Sequence, residues 1–248
     1  MQVAAIAGIG IGIGFLGGLF GKGGSAMATP LLAAVGVPPL AAVAAPLPAT
    51  IPSTATAGWA YWRAGHLDPR VASVAIAFGV PATLLGALAT QWVDGSALLG
   101  LTEVLLVIIG LRFVLVRSAP PATIPAATVT PPLGMIAAVA IGVGLVSGLL
   151  ANSGGALLAP MFVTMLRLPL KAAFASSLAV AAVLAIPGTL VHAFLGHIDW
   201  ALVAVFAATS IPLSYVGARV AIKADVAHLE RAYGVGLTLF GAVFLLVH

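Results

Sequence analysis

The sequence predicts an all-α membrane protein built from two inverted repeats of five hydrophobic segments each. Composition, an internal repeat and the distribution of charge lead to this prediction. Of the 248 residues, 62% are hydrophobic and only 6% are charged, whereas a soluble domain carries about 25% charged residues. Apolar stretches of about 18 residues or more recur along the chain, which is typical of transmembrane helices. We therefore expect a multi-pass protein of the cell membrane.

The internal repeat has an offset of 130 residues. The pattern of glycine, alanine and proline that starts at Gly12 recurs from Gly142. After one inserted residue the offset becomes 131, and the loop GHLD at 65–68 recurs as GHID at 196–199. These matches divide the chain into a first transmembrane repeat at 1–117, a proline-rich cytoplasmic linker at 118–132 and a second transmembrane repeat at 133–248.

The first repeat is predicted to contain five apolar segments. The first, 3–20, lacks a basic region and a cleavage site, so we expect a membrane span rather than a signal peptide. The second, 25–36, amounts to roughly 18 Å of helix and is too short for a hydrocarbon core of about 30 Å, so it is a half-helix. The third, 40–63, is bent, because its prolines remove backbone hydrogen bonds. The fourth and fifth, 70–92 and 96–117, are long and apolar.

The second repeat contains the corresponding five segments. Its second segment is again a short half-helix. The five are 133–150, 155–166, 171–194, 199–222 and 228–247.

The distribution of Lys and Arg sets the orientation of the two repeats. An odd number of segments in each repeat inverts the second relative to the first. With the N-terminus outside, the cationic side chains other than Lys22 fall on the cytoplasmic side, as the positive-inside rule requires. Both termini are therefore predicted on the extracytoplasmic side. The cations that obey the rule are Arg63, Arg70, Arg112, Arg117, Arg167, Lys171, Arg219, Lys223 and Arg231.

The turns before the two half-helices form the candidate binding site. A helix N-terminus exposes unpaired N–H groups and a partial positive charge, and glycine lets a ligand approach the backbone closely. In membrane proteins with inverted repeats, such helix ends lie near the bilayer midplane and face anionic groups. The sequence therefore predicts a site for a small oxyanion. Its residues are Gly21, Lys22, Gly23, Gly24 and Ser25 in the first repeat and Asn152, Ser153, Gly154 and Gly155 in the second.

Other interpretations of the glycines stay open. Spacings such as Gly14/Gly18 also let helices pack closely, and packing is the favoured explanation for Gly8 to Gly14. Lys22 reaches the inner aqueous surface if its turn lies at the cytoplasmic face rather than at the midplane. The pattern G-x-G-x-x-G at 12–17 lacks the preceding strand and the later acidic residue that dinucleotide binding requires, so it predicts no dinucleotide site.

A family resemblance rests on these same features. The glycine-rich turn before a short helix ending in proline, repeated in both halves with the Gly-His-x-Asp loops, resembles the TauE/SafE sulfite exporter family. This family is also called the toluene sulfonate uptake permease family, and the similarity extends over nearly the whole chain. The resemblance implies secondary transport of sulfite, a sulfonate or a related organosulfur anion, coupled to protons. The second half departs from the glycine-rich pattern at 151–153. A passive anion channel and a carrier of a non-sulfur carboxylate or oxyanion are the alternatives.

Several other polar residues lie in or beside the apolar segments. Hydroxyls of the third segments are candidates for the substrate path, or they hydrogen-bond carbonyls that prolines leave free in their own helix. Glu103 is the only carboxylate deep in an apolar segment, which makes it the proton-coupling candidate, with a structural hydrogen bond as the alternative. The candidate hydroxyls are Ser53, Thr54, Ser176 and Ser177.

Histidines and aspartates recur in the two Gly-His-x-Asp loops. Histidine titrates near neutral pH, so His66 and His197 could gate or sense protons. A helix N-cap is the simpler role for Asp68 and Asp199. His192, near the outer end of its segment, is expected to face the lipid headgroups.

The composition also argues against other classes of protein. The absence of cysteine excludes disulfides and thiolate chemistry. No H-E-x-x-H motif or nucleophile–base set is present, so we expect neither an enzyme nor a resident metal or cofactor. The net charge of +4 arises at helix ends and predicts no nucleic-acid binding. The expected partners are a small anionic substrate, protons and the lipid bilayer, and the sequence is compatible with a homo-oligomer.

Overall fold

The structure is a computed structural model that describes residues 2–21, 25–94, 97–98, 100–101, 104, 131–229, 231–232 and 235. The elements within these residues are helices, as predicted. Most of both fifth segments and most of the linker lie outside the described residues, so the inverted arrangement of five segments per repeat stays a prediction. The helices are α1 (Gln2–Leu19), α2 (Ser25–Ala34), α3 (Pro39–Ala44), α4 (Pro46–Arg63), α5 (Pro69–Ala89), a 3-10 turn (Thr90–Trp92), α6 (Leu133–Leu149), α7 (Gly155–Thr164), α8 (Leu170–Phe194) and α9 (Trp200–Lys223).

Four of the described helices are long and apolar enough to cross a membrane. They are α1, α5 with its 3-10 extension to Trp92, α8 and α9. The predicted half-helices are present as α2 and α7, each of ten residues, or roughly 15 Å of helix. The second segment of each repeat is therefore too short to span the bilayer alone.

The third segments of the two repeats differ. In the first repeat the helix breaks at Ala45, where α3 ends and α4 begins with Pro46. In the second repeat the same segment is the continuous 25-residue helix α8. The difference follows from composition, because the positions equivalent to Pro46 and Pro48 are Ser176 and Leu178, which keep their backbone N–H groups.

Helices of each half pack against helices of the other half, an arrangement that we call exchanged packing. Helix α1 of the first half packs against α9 of the second, and α6 of the second half packs against α5 of the first. At both interfaces glycine brings two backbones together: a Cβ atom at Gly18 would collide with Ser214 O, and one at Gly148 would collide with Thr83 O. These contacts are related by the 130- and 131-residue offsets of the sequence repeat. The two halves therefore make equivalent contacts with each other, and α4 and α8 pack together as well.

The early glycines divide into two groups. A Cβ atom at Gly10 would collide with Thr209, and one at Gly14 would lie 2.6 Å from Ser210 Cα. A Cβ atom at Gly8 or Gly12 would have no described residue within 4 Å. The packing interpretation is therefore confirmed for Gly10 and Gly14, which face α9.

Cationic residues of both halves meet at one end of the helices. The Lys171 ammonium donates hydrogen bonds to Ile222 O at 2.9 Å and to Ala224 O at 2.8 Å. These carbonyls belong to the C-terminal end of α9, where unpaired acceptors and the helix dipole favour a cation. The first turn of α8 therefore lies level with the last turn of α9.

Aromatic rings place two arginines at this same end. The rings of Trp59 and Tyr215 have centroids 6.3 Å apart. The guanidinium of Arg63 lies 5.1 Å from the Trp59 centroid, and that of Arg219 lies 5.8 Å from the Tyr215 centroid. The C-terminal ends of α4 and α9 are thus neighbours, which agrees with the one-sided charge pattern of the sequence.

The two loop aspartates are helix N-caps, as predicted. Asp68 Oδ1 accepts hydrogen bonds from the backbone N–H groups of residues 70 and 71, both at 3.0 Å. Asp199 Oδ1 accepts from those of residues 201 and 202, at 2.9 and 3.1 Å. The repeated Gly-His-x-Asp loops therefore start α5 and α9 in the same way.

Candidate functional site

The first glycine turn begins against α8. Gly21 has φ of +64°, which glycine adopts without strain, and a Cβ atom there would lie 2.5 Å from Phe174 Cα. Ser177 Oγ donates a hydrogen bond to Gly21 O at 2.7 Å. Phe174 follows Lys171 by three residues, or roughly 5 Å along the helix axis. The start of this turn therefore lies nearer the cation-rich end of α8 than its middle.

The predicted anion site has its central residues, including Lys22, directly after Gly21. Lys22, Gly23 and Gly24 lie outside the described residues, and α2 begins at Ser25. The proposed ammonium–anion contact therefore stays a prediction.

The second turn is buried. Ala151, the equivalent of Gly21, has φ of +46°, which is uncommon for a residue with a Cβ atom. Asn152 Oδ1 accepts a hydrogen bond from Gly154 N at 2.9 Å, which is the geometry of an Asx turn. Gly154, with φ of +77°, precedes the first residue of α7, Gly155. Ser153 is fully buried in this turn.

The amide oxygen of Asn152 thus holds the second turn in shape. A contact between the two turns would involve residues 22–24. The prediction that Asn152 completes the site from the other half is therefore untested by the described residues.

A small cavity lies between α1, α4 and α9. The space open to the centre of a water-sized sphere is about 10 Å³, which is close to the volume that one water molecule needs. Among the described residues, the lining consists of hydroxyls apart from glycines of α1 and two apolar side chains. They belong to Thr50, Ser53, Thr54, Ser210 and Ser214.

The hydroxyls of the cavity form a connected set. Ser53 Oγ donates to Ala49 O at 2.8 Å and lies 3.1 Å from Ser210 Oγ. Because a serine has one hydroxyl proton, Ser210 is the donor in the bond between the two serines. Ser214 Oγ donates to Ser53 O at 2.8 Å. The protons of these hydroxyls are therefore engaged, and an anion would have to draw them away from their present acceptors.

The hydroxyls of α4 bond to their own helix, but the carbonyls differ from those expected. Thr54 Oγ1 donates to Thr50 O at 2.7 Å, and Ser53 donates to Ala49 O. Pro52 frees Pro48 O, because it lacks the N–H group that would bond there. These two hydroxyls bond to Ala49 O and Thr50 O instead of that carbonyl, so the two side chains make ordinary bonds to the preceding turn.

The equivalent region of the other half has fewer hydroxyls, namely Thr83 at the position of Ser214 and Ser147 at the position of Gly17. Val180, Val183 and Leu184 stand where the first half has Thr50, Ser53 and Thr54, and Gly79 stands where the second half has Ser210. Within the described residues, the full set of cavity hydroxyls is therefore not repeated, although the helices around it are. Our sequence analysis missed Ser210 and Ser214. The departure from the repeat at Ser210 is a signal that could have identified it, whereas Ser214 has an equivalent hydroxyl in Thr83.

The remaining hydroxyl candidates lie elsewhere. Ser176 Oγ accepts a hydrogen bond from Asp68 N at 3.2 Å, at the start of α5. Ser177 bonds to the glycine turn. The structure thus brings Ser53 and Thr54 together in the cavity, and it places these two serines at contacts between α8 and the first half.

The histidines occupy two different environments. The expectation that His192 faces the headgroups is wrong, because its side chain is only 1% exposed. Its Nδ1 atom lies 3.1 Å from Nδ1 of His197. At the other end, burial and then the Lys171 ammonium lower the pKa of His66. Glu103 lies outside the described residues.

Comparison with known proteins identifies the family. Residues 6–244 match the sequence profile of the family described as "Sulfite exporter TauE/SafE". The chain belongs to the TauE/SafE family. It is therefore a membrane transporter and not an enzyme.

Two bacterial relatives agree with the TauE/SafE assignment. A protein of Xylella fastidiosa strain 9a5c, named a probable membrane transporter protein, is 31% identical over 233 residues, covering 90% of this chain and 87% of the relative. A protein of the same name from strain Temecula1 is 30% identical over 227 residues, with the same coverage. No solved structure matches the chain.

Proposed function

We propose that this TauE/SafE protein is a secondary transporter of a small sulfur-containing oxyanion, namely sulfite, a sulfonate or a related organosulfur anion, coupled to protons. The observation that carries the proposal is the hydroxyl-lined cavity between α1, α4 and α9 in a chain of the sulfite exporter family. Hydroxyls can turn their protons towards the oxygens of such an anion. The described residues that line the cavity include no charged side chain, so the positive charge must come from elsewhere in the chain.

Lys22 supplies that charge in our proposal. Helix α1 contributes Gly17 to the cavity, and Lys22 follows five residues later in the chain. A lysine within the membrane costs several kcal/mol unless it is hydrated, paired or neutralised. The substrate anion is the natural counter-charge, and the glycine-turn N–H groups add hydrogen bonds. Glu103 is the proton-coupling residue of this mechanism.

The small size of the cavity supports a carrier rather than a channel. A passive channel conducts through a continuous pore, whereas this space admits about one water molecule. A sulfur oxyanion is larger, so the helices around the cavity must separate before it binds. Movement of two repeats about a fixed site, with inverted topology and both termini outside, would provide such a change. The exchanged packing of the halves supports this arrangement.

Flux measurements in proteoliposomes test the function. We expect at least one anion among sulfite, sulfate, thiosulfate, sulfoacetate and taurine to be transported, at a rate that responds to a proton gradient. Glu103→Gln should remove this response and leave binding intact. Transport of a cation with none of these compounds moved would contradict the proposal, and flux independent of the gradient would indicate a channel.

A pair of threonine substitutions tests the site. Thr54→Val removes a hydroxyl of the cavity, whereas Thr56→Val removes one that bonds Pro52 O and Ser53 O on the same helix and does not line it. A hydrogen bond to a charged group is worth about 1.5–3 kcal/mol. We therefore expect KM to rise about tenfold or more in Thr54→Val and to stay near its wild-type value in Thr56→Val. Equal changes would remove the cavity from the substrate path.

A further inference from the structure

A second buried polar site lies at the end of α8 opposite Lys171. His192 is 1% exposed, and its Nδ1 atom lies 3.1 Å from Nδ1 of the half-buried His197. Two buried atoms of the same helix, His192 Nε2 and Thr189 Oγ1, have no hydrogen-bond partner among the residues that the structure describes. Residues three apart on a helix are neighbours on one face, so these two unpartnered atoms belong to a single surface of α8.

The direction of the hydrogen bond between the two rings determines whether His192 Nε2 is a donor or an acceptor. In a neutral imidazole one nitrogen donates and the other accepts. If His197 donates through Nδ1–H, then His192 carries its proton on Nε2 and that N–H group is unsatisfied. If His192 donates instead, its Nε2 lone pair is unsatisfied. Either tautomer leaves a buried polar atom that a ligand would stabilise.

The first repeat shows that a buried ring without a hydrogen-bond partner is not a general property of the Gly-His-x-Asp loop. Its equivalent residues are Tyr61 and His66, whose rings also make contact. The Tyr61 hydroxyl lies 3.5 Å from Gly18 O and 3.4 Å from Leu19 O and donates to these carbonyls. The hydroxyl of Tyr61 therefore has hydrogen-bond partners in the first half, whereas Nε2 of His192 has none among the described residues of the second.

We propose that His192 Nε2–H and Thr189 Oγ1–H bind a sulfonate or sulfite oxygen at the end of the transporter opposite Lys171, and that His197 takes up a proton when this anion binds. The proposal rests on the proposed function, since it names an additional subsite for the same substrate class. His192 donates to the anion through Nε2 and accepts His197 Nδ1–H through Nδ1. Protonation of His197 at Nε2 then supplies the counter-charge.

The surroundings of the pair favour this assignment. Burial lowers the pKa of His197, which favours the neutral ring, and a bound anion would raise that pKa. Helices α4, α5 and α7 pack against α8. Within the described residues, Arg63 of α4 and Arg70 of α5 each lie at the end of the helix that is far from the histidine pair. Helix α7 contains no titratable residue. Asp199 is engaged as an N-cap, and Asp94 follows α5 at the same end as the pair.

Nitrogen NMR of the histidine side chains tests the subsite directly. The chain has only five histidines, and His→Gln variants assign their signals. Sodium methanesulfonate, a sulfonate that does not titrate near neutral pH, is added to the purified protein, with sodium chloride as the salt control. We expect saturable shifts of the His192 and His197 signals and a higher pKa for His197.

Matched threonine variants separate the subsite from general effects on the fold. Thr189→Val should weaken methanesulfonate binding at least tenfold, and Thr189→Ser should restore it. Thr83→Val removes another buried hydroxyl that has no partner in the described part of the chain and should leave the affinity unchanged, as should His66→Gln. An equal loss in Thr83→Val and Thr189→Val would overturn the proposal.

Flux separates the two proposals from each other. Unmoved His192 and His197 signals in a protein that transports a sulfur anion would overturn the subsite and leave the transport function standing. Saturable shifts in a protein that transports none of the tested anions would support the subsite and contradict the transport function.

Discussion

Replacing Gly148 by alanine should force α5 and α6 apart. A Cβ atom at this position would collide with Thr83 O and would lie 2.7 Å from Ala87 N, both backbone atoms that no side-chain rotation can move. Ordinary van der Waals contact of a Cβ atom begins at 3.4 Å. The two helices must therefore separate by roughly 0.7 Å or more along this contact, in an interior packed as closely as a crystal.

The cost follows from the behaviour of overpacked cores. Extra methyl groups in a packed interior destabilise by about 1–3 kcal/mol. Gly142→Ala is the matched control, because this glycine lies on the same helix and a Cβ atom there meets none of the described residues within 4 Å. Both substitutions gain the same helix propensity, so the difference between them reports the contact.

Thermal unfolding in detergent measures the effect. At about 3 °C per kcal/mol for a chain of this size, Gly148→Ala should unfold about 3–9 °C below Gly142→Ala. The equivalent pair in the first half, Gly18→Ala and Gly12→Ala, should differ in the same direction. Equal unfolding temperatures within both pairs would refute the close backbone contacts and, with them, the exchanged packing of the halves.

Three further predictions concern charge and topology. Lys171→Met should destabilise the protein by about 1–3 kcal/mol, because it removes two hydrogen bonds to the end of α9; it should also raise the pKa of His66 in an NMR titration, and an unchanged pKa would contradict the contact. Lys22→Met should insert normally but lose anion binding by isothermal titration, and Lys22→Arg should be partly impaired because a guanidinium differs in shape from an ammonium; wild-type affinity in Lys22→Met would place this lysine at the inner surface. Single cysteines in this cysteine-free chain should react with an impermeant reagent from outside near His248 but not within the linker at 118–132, and the reverse labelling would overturn the orientation.

The ends of the helices could be predicted from sequence because local chemistry determines them. The loop aspartates start α5 and α9, Pro69 is the first residue of α5, and glycine turns follow α1 and precede α7. The break at Ala45 was predicted only as a bend, since proline density indicates lost hydrogen bonds but does not show whether the helix resumes in the same direction.

The composition of the cavity was harder to predict. Ser210 and Ser214 lie in an apolar helix, and their position along the chain does not reveal which neighbour they face. Ala151 adopts a positive φ, which an alanine in the sequence does not predict. His192 shows the same limit, because sequence gives its depth along α8 and not its burial by neighbouring helices. Tertiary contacts decide each of these features.

The exchange of partners between the halves has a consequence for biosynthesis. Helix α1 is complete at Leu19, but α9 begins at Trp200, so about 180 residues are synthesised between them. At roughly 5–20 residues per second, synthesis of these residues takes on the order of 10–40 s, and the glycine face of α1 cannot pack against α9 before then. Helix α6 follows α5 within about 45 residues, so that pair can form within seconds. The contact between α5 and α6 can therefore form well before that between α1 and α9, and a chain truncated after α8 would leave the glycine face of its first helix without α9.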